Sequence, residues 1–111
     1  MSSKRFRKLH NAQTQVSVGE DIIVDNVSSL SLQIYGTSTS FTLEFEVSLD
    51  GENFDDIMGD NKGDYSIYSA STTSKGCWEF DVSGWAYFRA KLTAIGNGNI
   101  TVLANAYGWV D

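Results

Sequence analysis

The chain has 111 residues, of which 41% are hydrophobic, with a net charge of −6, one cysteine and no proline. That length supports one domain whose core buries roughly two thirds of the surface its unfolded chain exposes. The lone cysteine, Cys77, excludes an intramolecular disulfide, no Cys/His set has metal-ligand spacing, and no apolar run approaches the roughly 18 residues of a membrane span.

Charge divides the chain unevenly. The first ten residues carry Lys4, Arg5, Arg7 and Lys8 and no acid. The other four cations, Lys62, Lys75, Arg89 and Lys91, stand against all 14 acids, which gives the remainder a net charge of −10. Residues 1–11, MSSKRFRKLHN, hold too few apolar side chains to pack alone and are expected as an extended N-terminal arm on a body formed by residues 12–111. The acidic body or a neighbouring subunit offers such an arm a surface to lie on. An acidic body repels a polyanion, so direct nucleic-acid binding is not expected. The arm is basic without the apolar stretch of a signal peptide, so synthesis in the cytoplasm without export by the usual route is expected.

From Ala12 onward the pattern is one of short strands separated by turn residues. Residues 15–18 and 22–24 flank Gly19-Glu20 as the first strand and its continuation or hairpin partner. Residues 29–35 alternate Leu30, Leu32 and Ile34 with polar side chains, and residues 36–40 form a polar tip suited to a hairpin. Phe41, Leu43, Phe45, Val47 and Leu49 then define the inward face of a half-buried strand that ends at Asp50-Gly51, a turn expected to return Phe54 to the core. A polar loop leads to a short strand at 65–68 and a Ser/Thr-rich loop. Trp78, Phe80 and Val82 mark the next inward face, and Ala86, Phe88, Ala90 and Leu92 the one after it. A hairpin turn at 96–99 leads to the last strand, with Ile100, Val102, Ala104 and Ala106 inward. About seven or eight strands joined by turn clusters predict an all-β chain, an antiparallel β-sandwich of Ig-like or jelly-roll-like type.

Chemistry-bearing residues are sparse. Glu44 and Glu46 share the outward face of one strand, where cross-strand pairing with Arg89 or Lys91 explains them better than acid–base catalysis. Asp50, Glu52, Asp55, Asp56, Asp60 and Asp64 crowd a loop whose oxygens can coordinate calcium, although the spacing is not that of an EF-hand. His10, the sole histidine, lies in the arm, so a nucleophile in the body has no histidine base, and no enzymatic activity or cofactor is expected. Trp85, Tyr87 and Tyr107 have outward parity and Trp109 follows the last core position, so these four form a candidate surface aromatic platform for sugar rings or for another protein.

Two stretches carry a family resemblance. FTLEFEVSLDGENFDDI, through Ser48, Asp50, Gly51, Asn53, Phe54 and Ile57, resembles a strand-and-turn unit of small tailed-bacteriophage virion proteins and of some carbohydrate-binding sandwiches. FDVSGWAYFRAKLTAIGNGNITVLANA is similar to the closing segment of such phage proteins at Asp81, Val82, Ser83, Gly84, Arg89, Thr93, Gly98, Thr101 and Val102, with Trp85 in place of the usual Tyr. The resemblance implies a non-enzymatic phage or prophage virion component of capsid, neck or tail. Such a protein is expected to be a homo-oligomer in contact with other virion proteins, its arm residues Lys4, Arg5, Arg7 and Lys8 serving as the anchor. A carbohydrate-binding module that attaches the particle to a host glycan is the alternative, and no membrane partner is expected.

Overall fold

The computed structural model describes the backbone of residues 2–109 and the side chains of residues 5–108. Period-two alternation becomes strand along the chain: β1 (Ser2–Gln13), β2 (Ile22–Ile23), β3 (Ser29–Tyr35), β4 (Phe41–Ser48), β5 (Asp55–Asp56), β6 (Gly59–Asn61), β7 (Tyr68–Ser69), β8 (Ser71–Thr72), β9 (Gly76–Asp81), β10 (Tyr87–Ile95) and β11 (Ile100–Trp109). They form two antiparallel sheets packed as a sandwich. One has six strands in the order β1, β11, β3, β9, β6, β7. The other runs β2, β10, β4, β5, with β8 also on β4.

The alternating apolar residues meet between these sheets. Leu30, Leu32, Ile34, Trp78, Phe80, Val102 and Ala104 project from the six-stranded sheet, opposite Leu43, Phe45, Val47, Phe88, Ala90 and Leu92 from the other, all buried. Phe45 joins the layers, its ring centroid 5.0 Å from that of Trp78 and 4.8 Å from that of Phe80. Such tilted and edge-on contacts match the aromatic quadrupole and add to the stabilisation from burial.

Four local expectations change in the folded chain. The tips at 36–40 and 96–99 do not close hairpins: β3 and β11 lie in one sheet while β4 and β10 lie in the other, so both tips carry the chain across the core. This keeps each apolar face directed inward while the chain switches layer, as sandwich corners do. The two corners are stitched together, Asn97 Oδ1 accepting from the Thr39 amide at 2.9 Å and the Asn99 carbonyl from the Ser38 amide at 3.0 Å. Residues 15–18 contribute a single bridge between Ser17 and Leu92 instead of a strand. Leu49 lies past the end of β4 and is 67% exposed. Phe54 is half-buried outside the core, with its ring under the Arg89 guanidinium at 3.9 Å.

The largest change concerns residues 1–11. Residues 2–13 are not a detached arm: they form β1, paired with β11 from Ser2 opposite Trp109 to Gln13 opposite Ile100, so the boundary expected after Asn11 falls inside a strand. The reason lies at the sandwich edge, where an inward-pointing side chain needs an apolar stem but not an apolar tip. Arg5 and Arg7 meet this condition. Arg5 donates to the carbonyls of Asp25 (2.7 Å) and Ile23 (3.2 Å), and Arg7 pairs with Glu20 at 3.0 Å. Register shifts after Lys8 and after His10 then turn both Leu9 and His10 into the interior, where both are buried.

Candidate functional site

Of the four aromatics expected to form one platform, the structure places Trp85, Tyr87 and Tyr107 apart from one another. Tyr87 lies on the outer face of the β10–β4 sheet, half-buried, its ring 3.3 Å from the position a Cβ at Gly51 would take. Tyr107 is 37% exposed on the outer face of the opposite sheet and donates to Glu79 Oε2 at 3.4 Å. Trp85 is half-buried at the 82–86 corner and packs against the core. The Trp109 side chain lies outside the described residues. Tyr87 and Tyr107 therefore cannot stack on one ligand, because the whole sandwich separates them.

The charged candidates are largely engaged within the chain. Arg5 and Arg7 hold β1 to residues 20–25, as above, and Lys8 is exposed on β1, while the Lys4 side chain lies outside the described residues. In the acidic loop, Asp50 accepts from the Glu52 and Asn53 amides at 2.9 Å each and from Asn53 Nδ2 at 2.7 Å, and these bonds hold its carboxyl well below the usual carboxylate range. Asp64 accepts from Ser66 in the same manner, and its pKa too is lowered. Among the described residues no three His, Cys, Asp or Glu side chains gather as a metal site. Cross-strand pairing does hold for Glu46, whose Oε1 accepts from Arg89 Nε at 2.7 Å while the guanidinium covers Phe54.

His10 acts in the interior of the body. Its Nε2–H donates to the Ala90 carbonyl of the opposite sheet at 2.5 Å, which leaves Nδ1 as the unprotonated nitrogen, buried and with no partner among the described residues. Burial lowers its pKa, and the bond to Ala90 opposes this only in part. Gly19 (φ +69°) passes so close that a Cβ there would lie 2.5 Å from the imidazole Cε1. His10 is thus a cross-core tie.

One surface groove is a feature that the sequence did not single out. On the outer face of the six-stranded sheet a groove of about 380 Å³ crosses β1, β11, β3 and β9. Phe6 and Leu103 line it with Gln33 and Asn105, and Lys62 and Glu79 stand within it 4.0 Å apart. Phe6, opposite Asn105 in the register, is 64% exposed. The available signal was a lone aromatic in a basic stretch together with Leu103 on the outward parity of β11. A second exposed apolar group, Met58, Tyr65, Ile67 and Tyr68, lies in and around the β6–β7 hairpin, with Lys62 Nζ 5.1 Å from the Tyr65 ring centroid.

These features define a small antiparallel β-sandwich module with apolar side chains displayed on its six-stranded side. The family model of XepA matches residues 6–106, and the chain belongs to the XepA family. It is 28% identical over 93 residues to the SPbeta prophage-derived protein YomS of Bacillus subtilis strain 168, covering 84% of this chain and 78% of YomS. It is also 28% identical over 99 residues to YqxG of the same organism, covering 87% of this chain and 33% of YqxG. The YomS crystal structure superposes with a TM-score of 0.90 at 26% identity, over 97% of this chain and 96% of YomS. That of the PBSX exported protein XepA gives 0.91 at 22% identity, over 96% of this chain and 38% of XepA. The chain thus spans about a third of YqxG and somewhat more of XepA. It is a prophage-type β-sandwich protein, the fold standing alone in YomS and forming part of a longer chain in XepA.

Proposed function

We propose that the protein is a non-enzymatic structural component of a phage particle, carried at the capsid, neck or tail, where it assembles with other virion proteins and with copies of itself. The observation that carries this reading is the exposed apolar group at the β6–β7 hairpin, in which Tyr65 is 73% and Tyr68 59% exposed beside Met58 and Ile67. Clustered exposed apolar side chains, tyrosines above all, mark protein-docking surfaces more often than they serve an isolated domain. Prophage-derived relatives support the setting. The non-enzymatic reading draws support from the polar groups already engaged: His10 with Ala90, Asp50 with its own turn, and Glu46 with Arg89.

Anchoring passes in this reading from the basic residues to the hairpin, because Arg5 and Arg7 are used within the sandwich. The test is a Tyr65→Ser/Tyr68→Ser double variant expressed in an induced lysogen, with purified particles assayed for the protein by mass spectrometry. Both side chains are largely solvated, so the variant should melt within about 2 °C of the wild type. The wild type should be present in particles and the variant depleted. Equal incorporation of the two, or absence of the wild-type protein from particles, would contradict the proposal.

A further inference from the structure

We infer that the groove on the outer face of the six-stranded sheet is a binding site for a neutral saccharide, with Phe6 as its stacking platform. Three observations converge on this ligand class. The first is Phe6 itself: Arg5 and Arg7 lie opposite the buried Ala106 and Ala104, so β1 turns Phe6 outward together with Lys8, and the Phe6 ring is 64% exposed. An aromatic ring displayed on a rigid strand beside Leu103 presents a flat apolar surface, which is what the C–H face of a pyranose stacks on.

The second observation is charge. The cation and anion in the groove, Lys62 and Glu79, lie 4.0 Å apart and offset one another. An anionic ligand would meet Glu79 and a cationic one Lys62, each in competition with the existing pair, whereas a neutral ligand disturbs neither.

The third is hydrogen-bonding capacity left open in the groove wall. Gln33, exposed on β3 opposite Leu103, makes no side-chain bond among the described residues. Its amide, able both to donate and to accept, matches a polyhydroxylated ligand that brings both kinds of group.

Lys62 stands both in this groove and 5.1 Å from the Tyr65 ring, so the two surfaces adjoin, but saccharide binding is read on the isolated protein and assembly on purified particles, so either proposal can fail without the other. The experiment titrates the ¹⁵N-labelled full chain with N-acetylchitotetraose, cellotetraose, mannotetraose and a galactan tetramer, each to about 10 mM, the weak end of specific affinities. At least one should produce saturable shifts in the backbone amides of Phe6, Gln33, Leu103 and Asn105. Phe6→Ala should weaken that binding about tenfold, equivalent to ~1.4 kcal/mol, whereas Phe6→Tyr should retain it. If Phe6→Ala does not fold, Phe6→Tyr and Gln33→Ala decide, the first binding normally and the second more weakly. Absence of saturable shifts with all four saccharides, shifts centred elsewhere, or unchanged binding by Phe6→Ala would overturn the inference. So would a Phe6→Ala variant that sediments as a smaller species while no saccharide binds, which would make this face a contact between copies.

Discussion

Deleting residues 1–10 separates a strand from an arm. A detached arm could be removed without loss of stability, whereas β1 takes with it Leu9, 1% exposed, the His10–Ala90 bond and the pairing that covers the free edge of β11. The magnitude can be bounded from Leu9 alone: truncating a fully buried leucine to alanine costs about 2–5 kcal/mol, the spread reflecting how far the surroundings collapse. With a typical domain stability of about 5–15 kcal/mol and a urea dependence near 1.5 kcal/mol/M, a 3 kcal/mol loss lowers the midpoint by about 2 M. Leu9→Ala should therefore shift the urea midpoint by about that much, and the deletion by more, to the point of leaving much of the chain unfolded in buffer. Fluorescence of Trp78, buried against Phe45, reports the transition. A deletion variant that unfolds cooperatively within about 0.5 M of the wild type would refute the assignment of β1 to the folded core.

Two further outcomes follow from the interior polar contacts. His10 has a folded pKa below its ordinary value, so the unfolded chain binds the extra proton first; stability is complete above about pH 6.5 and declines as pH falls below it toward the folded pKa. Thermal melts between pH 7.5 and 5.5 should show this decline in the wild type and a flatter profile in His10→Asn, and parallel profiles would remove His10 as its source. At the Glu46–Arg89 pair, where the Glu46 side chain is only 11% exposed, Arg89→Ala should cost about 2–3 kcal/mol by leaving a nearly buried carboxylate unpaired. A double-mutant cycle with Glu46→Ala should return a coupling above about 1 kcal/mol, and a value under about 0.5 would mean that the pair contributes only packing.

The long strands were legible because each alternates large apolar residues with polar ones over at least six positions, as in residues 29–35, 41–48 and 76–81. What alternation does not carry is the sheet to which a strand belongs. The tips at 36–40 and 96–99 have the Gly, Asn and Ser composition of hairpin turns, yet they serve as corners, because a polar tip satisfies local turn chemistry in either role and the choice is made by packing across the core. The same gap dispersed the aromatic platform: parity correctly turned Tyr87 and Tyr107 outward but could not reveal that they leave opposite sheets. Reading β1 as an arm failed for a different reason. An edge strand can use arginine at an inward position, so the apolar alternation that marks a central strand is absent from residues 4–8.

That edge chemistry also determines where function can reside. In β1 the odd positions Arg5 and Arg7 reach across to Asp25 and Glu20 and close the side of the sandwich, while the intervening Phe6 faces outward over the six-stranded sheet. The two arginines cannot hold the edge shut and also remain free for an acidic neighbour, so the feature that made these residues look like an anchor is the feature that removes them from binding. The ladder with β11 and the buried Leu9 and His10 set the register of Phe6, and a slip of one residue against β11 would direct the ring inward and both guanidinium groups to solvent. Pairing with β11 thus turns the two arginines to the edge of the sandwich and holds one aromatic ring over the groove between Leu103, Gln33 and Asn105.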